Sequence, residues 1–88
     1  MRIGLVIERF DPARGGREQW TFAFARRLLE LGHDVHVASR SFADIVARLP
    51  IHCHNIQCDP SAMSFAAVVE QVLGPLMLDI VHDMGTGW

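Results

Sequence analysis

The sequence predicts an α/β domain built on a parallel sheet, and three observations carry that reading. Short runs of aliphatic and β-branched residues recur along the chain, as in Ile3-Gly4-Leu5-Val6-Ile7, Val35-His36-Val37-Ala38 and Ile80-Val81. Stretches with helical periodicity separate them. The first run is apolar at every position, the pattern of a strand buried on both faces, which parallel sheets require. Strand–helix alternation with right-handed crossovers then gives about four strands in the order 3-2-1-4, a Rossmann-like arrangement with flanking helices.

The elements follow in order. A first strand covers Arg2 to Glu8, and a turn containing Gly15-Gly16 leads into a helix from about Arg17 to Leu31. Trp20, Phe24, Leu28 and Leu31 form its apolar stripe, with Ala25 and Leu29 beside them and Gln19, Arg26 and Glu30 opposite. Gly32 sits where a left-handed residue would stop the helix, and His33 is placed to meet its last carbonyls. A second strand runs from Asp34 to Ser39, with Val35 and Val37 facing inward. Phe42, Ile45, Val46 and Leu49 suit a short helix ended by Pro50, and Ile51 to Gln57 reads as a third strand. After the turn Cys58-Asp59-Pro60-Ser61, a helix from Ser61 to Leu73 carries Phe65, Val68, Val69, Val72 and Leu73 on one face. Gly74-Pro75 breaks it. Asp79 to Met84 forms a fourth strand, and Gly85-Thr86-Gly87 opens another glycine-bearing turn. Leu5, Ile7, Trp20, Phe24, Leu28, Val35, Val37 and Val81 are expected in the core.

Composition narrows the function. Half of the 88 residues are hydrophobic, too many for a disordered chain. A net charge of −2 and the absence of lysine give no sign of a nucleic-acid partner. The five apolar residues after Arg2 are too few for a signal peptide, and no run approaches the ~18 residues of a membrane span, so a cytoplasmic setting is expected. Cys53 and Cys58 make no disulfide framework. They stand at a spacing zinc tolerates, and His52 and His54 share a strand face, but no second pair lies at finger-like spacing. The sequence reading therefore assigns no metal, and takes the cysteines as small buried hydrophobes.

The turn from Glu8 to Glu18 is the place for chemistry. Gly15 and Gly16 let backbone N–H groups approach a ligand, and the helix N-terminus beyond them adds unpaired donors and partial positive charge. With Arg14 and Arg17 flanking, this makes a seat for a phosphate at the carboxyl end of the first strand. Valine at position 16 is expected to block that approach and to force an unfavourable φ. Glu18 complements the helix dipole whatever the function. No lysine is present for a Walker A loop, and no G-x-G-x-x-G accompanies Arg40 to support an NADP site.

Four segments in order resemble the N-terminal domain of family-4 glycosyltransferases of the GT-B fold, with the lipopolysaccharide-core sugar transferases as the nearest subgroup. They are Arg2-Ile-Gly-Leu-Val-Ile7, Gly15-Gly16-Arg17-Glu18, Leu28-Leu-Glu-Leu-Gly-His-Asp-Val-His-Val37 and Asp79-Ile-Val-His-Asp83. The resemblance implies that residues 1–88 are the acceptor-side domain of a longer, two-domain hexosyltransferase whose second domain grips the sugar nucleotide. It implies transfer from a nucleoside diphosphate sugar to a saccharide or lipid-linked acceptor with retention at the anomeric carbon, without metal or other cofactor. Gly15 and Gly16, helped by Arg14 and Arg17, map to the donor phosphates; His82 and Asp83 map to catalytic positions lining the cleft. Many family members carry a second histidine two positions after the first, where this chain has Met84. Because related enzymes act on lipid-linked acceptors, Arg26, Arg27, Arg40 and Arg48 with Phe22 and Phe42 suggest weak peripheral contact with the inner membrane face, against the plainer reading of a solvated face. A stand-alone nucleotide- or anion-binding module and an inactive truncated protein are the alternatives.

Overall fold

In a computed structural model, residues 1–57 and 64–84 are described. The expected turns at residues 58–61 and 85–87 fall outside them. Central to the sheet is β1 (Arg2–Val6), paired in parallel with β3 (Asp34–Ser39) on one side and β6 (Ile80–Asp83) on the other. Strand β5 (His52–Asn55) adds to the far side of β3, which gives the expected order of third, second, first and fourth main strand.

Alternation along β1 sends successive side chains to opposite faces. Ile3, Leu5 and Ile7 pack with Ala25 and Leu28 of α1 (Gly16–Glu30), together with Val35, Val37 and Met84. On the other face Val6 and Ala38 meet Phe65, Val69 and Leu73 of α3 (Phe65–Leu73). Both faces of the central strands are thus covered, as a doubly wound sheet requires. Gly4 is small for a packing reason: a Cβ there would stand 2.6 Å from Leu78 Cδ1.

The ends of the helices are chemically specified. Gly32 has φ +86°, its N–H bonds to the Leu29 carbonyl at 3.0 Å, and the His33 N–H bonds to that of Leu28 at 3.1 Å. This is a Schellman stop, so the expected role of Gly32 holds and His33 contributes its backbone. Ser64 caps α3 by accepting the Ala67 N–H at 3.2 Å.

Beyond β1 the chain does not simply leave the sheet. The Ile7 N–H bonds to the Ala38 carbonyl, that of Arg40 to Glu8, and that of Ala43 to Phe10, at 3.1, 2.8 and 3.0 Å. Within this run β2 (Arg9–Phe10) pairs in parallel with β4 (Ser41–Phe42), an extension not expected from sequence. Phe10 is fully buried, with its ring centroid 6.5 Å from that of Phe42. The short helix α2 (Asp44–Ala47) then seals this end with Val46.

Three expected core positions are corrected. Trp20 is 57% exposed, Val81 is 51% exposed and Phe24 is only partly buried. The inward face of α1 is instead Thr21, Ala25 and Leu28, one residue round from the stripe read in sequence. Thr21 tolerates burial because its hydroxyl donates to the Arg17 carbonyl at 2.8 Å. Val81 and its neighbour Ile80 are half exposed because, among the described residues, β6 is an edge strand with β1 as its only partner. Cys53, expected to be buried, is exposed on edge strand β5.

Candidate functional site at the glycine turn

The carboxyl end of the central strand leads through Glu8 and β2 to a single 3-10 turn, Pro12–Arg14, and then to α1. Asp11 holds the 3-10 turn by accepting the Ala13 N–H at 3.0 Å. Gly15 occupies the N-cap of α1 and supplies no side-chain cap; the helical ladder begins with the Gln19 N–H bonding to the Gly15 carbonyl at 3.0 Å. The first-turn amides consequently lack a side-chain cap, and such an end attracts anions.

Glycine is not demanded here by backbone strain. Gly15 has φ 164° and ψ −173°, extended backbone, and Gly16 does not have a positive φ, so the expectation of an unfavourable φ for valine at position 16 is corrected. What the glycines provide is space. A Cβ on Gly16 would meet nothing within 4 Å, and one on Gly15 would meet only Glu18 Oε2 at 3.4 Å.

Beside this turn lies a groove of about 240 Å³, lined by Ile7, Glu8, Arg9, Arg14, Arg17 and Glu18. Its size suits one subsite rather than a whole ligand, since complete small-molecule sites run to about 300–1,000 Å³. Three arginines face two carboxylates, and one of those, Glu8, is engaged by Arg40 at 3.3 Å. The groove is therefore biased toward anions. Sequence reasoning had Arg14 and Arg17 but missed Arg9, which β2 brings to the groove, and the Glu8–Arg40 pair, which follows from the parallel run of residues 7–10 beside 38–43.

His82 and Asp83 do not line this groove. His82 faces α1, edge-on to Phe24 with ring centroids 6.4 Å apart, and Phe24 stacks on Trp20 at 5.0 Å. Phe24 lies eight residues beyond Gly16, about 12 Å along the helix axis. Asp83 is in register with Val6 and projects from the opposite face of the sheet. Met84 is buried in the α1-side core, and its N–H bonds to the Val6 carbonyl at 2.8 Å. Position 84, where the resemblance read from the sequence would place a second histidine, is here a packing position.

The arginines considered for membrane contact are partly engaged elsewhere. Arg26 lies over the Phe22 ring at 5.9 Å, Arg27 pairs with Glu30 at 3.3 Å, and Arg40 lies over Phe65 at 4.8 Å. Among the described residues no helix is long and apolar enough to cross a membrane. A larger hollow of about 790 Å³ lies between α3 and the uncovered side of β6, lined by residues including Val69, Leu73, Met77 and Val81. None of the residues lining the glycine-turn groove takes part in it.

A parallel sheet with helices on both faces, and a glycine turn leading to a helix N-terminus at the end of its first strand, defines a Rossmann-like α/β domain. A solved structure similar to it is the crystal structure of WaaG, a glycosyltransferase involved in lipopolysaccharide biosynthesis, with a TM-score of 0.76 and 18% sequence identity. The match covers 92% of this chain and 23% of WaaG, so the chain spans about a quarter of that protein. The resemblance read from the sequence is thereby borne out in the fold. No protein-family model and no curated protein matches the sequence.

Proposed function

We propose that this chain is the acceptor-side domain of a retaining glycosyltransferase, moving a hexose from a nucleoside diphosphate sugar to a saccharide or lipid-linked acceptor of the cell envelope. The observation that carries the reading is the α1 N-terminus without a side-chain cap, at the end of the central strand, opening beside a groove with Arg9, Arg14 and Arg17. Departure of a nucleoside diphosphate builds negative charge on the leaving phosphate oxygen, and fixed donors aimed at it lower the barrier. The Gly16 and Arg17 amides supply such donors, and Arg14 adds a mobile positive charge. On this reading a second α/β domain takes the nucleoside and closes the other wall of the cleft, since transfer requires donor and acceptor held together. Asp83 lies outside this groove, at the carboxyl edge of the sheet on the face away from α1, and is proposed to contact a sugar or acceptor hydroxyl from there. The setting proposed is cytoplasmic, with contact at the inner membrane face where the acceptor is lipid-linked. No metal is required for the transfer step on this account, because amides and arginines hold the diphosphate.

Titration of the isotope-labelled chain with uridine, guanosine and adenosine diphosphates and with pyrophosphate tests the site by amide chemical shifts. Residues Gly15 to Glu18 are expected to shift in a saturable, salt-sensitive manner, with weaker binding in Arg14→Ala. Unmoved amides at those four positions with every ligand would overturn the assignment.

A further inference from the structure

A second constellation lies away from the glycine turn, on the α3 face toward the amino ends of the strands. Alternation places Asp34 and His36 on one face of β3, and His52 and His54 on the same face of β5, because His36 is in register with His52 and Ala38 with His54. His52 Nε2 lies 2.8 Å from Asp34 Oδ1, and His36 Nε2 lies 3.2 Å from Asp34 Oδ2. The other nitrogen of His36, Nδ1, lies 3.0 Å from His54 Nε2. His36 is 6% exposed and therefore held in place, while Asp34 and His52 are exposed. Arg2 on β1 approaches the same carboxylate, its Nε 3.8 Å from Asp34 Oδ2.

We propose that Asp34, His36 and His52 bind a divalent cation of the zinc class, with His54 as a positioning residue that orients His36. One ligand atom from each of the three can be chosen so that all lie within 4.8 Å of one another. Zinc holds nitrogen and oxygen ligands at about 2.0–2.2 Å, so ligand atoms in a tetrahedral site stand about 3.3–3.6 Å apart. The widest separation must close by about 1.2–1.5 Å. Because the His36 and His52 rings stack with centroids 4.3 Å apart and planes 16° apart, the exposed His52 ring must also rotate out of the stack for both lone pairs to meet one ion. Two imidazoles and one carboxylate match the ligand preference of this class, and solvent can complete the sphere. Metal-bound histidines characteristically donate their second N–H to a fixed acceptor, and His54 stands at that place for His36.

The proton balance is simple. In each neutral imidazole ligand the proton resides on Nδ1 when Nε2 holds the metal. For His36 that proton is donated to His54 Nε2, whose own proton then sits on Nδ1. Two strands are joined by the site, one of them the edge strand β5. It is distinct from the groove of the proposed transfer reaction and independent of that reading.

Titration of the metal-free chain with Zn²⁺ and Co²⁺ tests the site, read by calorimetry, Co²⁺ absorption, melting temperature and imidazole ¹⁵N shifts. The expected result is one ion per chain, a higher melting temperature, and a Co²⁺ spectrum without thiolate charge transfer. His52→Ala and Asp34→Asn, both at exposed positions, are expected to abolish the binding while preserving the fold. His54→Ala is expected to weaken it about 10–100-fold and to alter the His36 Nδ1 shift. Absence of stoichiometric binding overturns the proposal. So do a thiolate signature from a cysteine, a melting temperature lowered by metal, or unchanged affinity in His52→Ala.

Discussion

Leu28→Ala tests how α1 is rotated against the sheet. Leu28 is 8% exposed and belongs to the cluster formed with Ile3, Leu5, Val35 and Val37, whereas Trp20 is 57% exposed. Truncating a buried leucine costs about 2–5 kcal/mol through lost transfer energy and the cavity left behind. A position bordered by a helix surface can partly collapse, so about 3 kcal/mol is expected. An 88-residue domain has an unfolding entropy of about 0.18 kcal/mol/K, which converts that loss to about 16 °C in Tm. The whole stability of such a domain is only about 4–13 kcal/mol, so the variant sits near the edge of folding. Trp20→Ala, by contrast, removes a stacking contact with Phe24 worth about 0.5–1.5 kcal/mol, and little core. Circular dichroism melts and urea titrations with an unchanged m-value give both numbers. A Leu28→Ala loss below 1 kcal/mol, or a larger loss in Trp20→Ala, would refute the packing described.

The remaining predictions concern the sites. Gly16→Val should keep the fold, because a Cβ at Gly16 meets no neighbour, yet abolish sugar transfer by a complete enzyme carrying this domain. Wild-type turnover in Gly16→Val would remove the glycine-turn groove from the reaction; Asp83→Ala, outside that groove, should separately reduce transfer, and unchanged turnover there would remove Asp83 from the reaction. The 88-residue chain alone should transfer no sugar, and detectable transfer by it would refute the need for a second wall. Stability should fall on acidification from neutral pH. Burial, followed by the charges of His36 and His52, holds the His54 pKa below its ordinary value. The unfolded chain then binds more protons, so stability is lost as pH drops below about 6.5. Burial pushes the Asp34 carboxyl upward, but the hydrogen bond and charge of His36, followed by those of His52, outweigh it and lower its pKa. Its contribution is present above about 4 and lost as pH falls through the lowered value. His54→Gln should flatten the first decline in a melting series, and stability that stays level from pH 7 to 5 would contradict this.

Much of the fold was legible because local and global signals agree. The all-apolar first strand, the Schellman glycine at position 32 and the Ser64 to Leu73 periodicity each specify one element and point to the same sheet. The rotation of α1 was not legible, because Trp20 and Phe24 compete with Ala25 for the inward side, and hydrophobicity alone favours the larger residues. Small Ala25 and a hydroxyl satisfied within the helix let α1 approach the sheet closely, and that is visible only with the strands in place. At the glycine turn, adjacency in sequence brought Gly15, Gly16, Arg14 and Arg17 together on paper as in space. The histidine cluster required the register of β3 against β5, since residues eighteen apart face each other there. The period-two spacings of Asp34 with His36 and of His52 with His54 were its signal.

The paired run of residues 7–10 beside 38–43 constrains how this chain can change length. Its bonds continue past the main sheet, from Ile7 with Ala38 to Phe10 with Ala43, and carry the strand that ends at the glycine turn. A single residue inserted between Ser39 and Ser41 would shift Phe42 to the opposite side of its strand and away from Phe10. A compensating insertion near Glu8 would be needed to restore the match, so tolerated insertions and deletions here should come in pairs. Residues 11–14, past the last paired residue of the first segment, can lengthen without disturbing that pairing, so length variation at the glycine turn is uncoupled from the sheet.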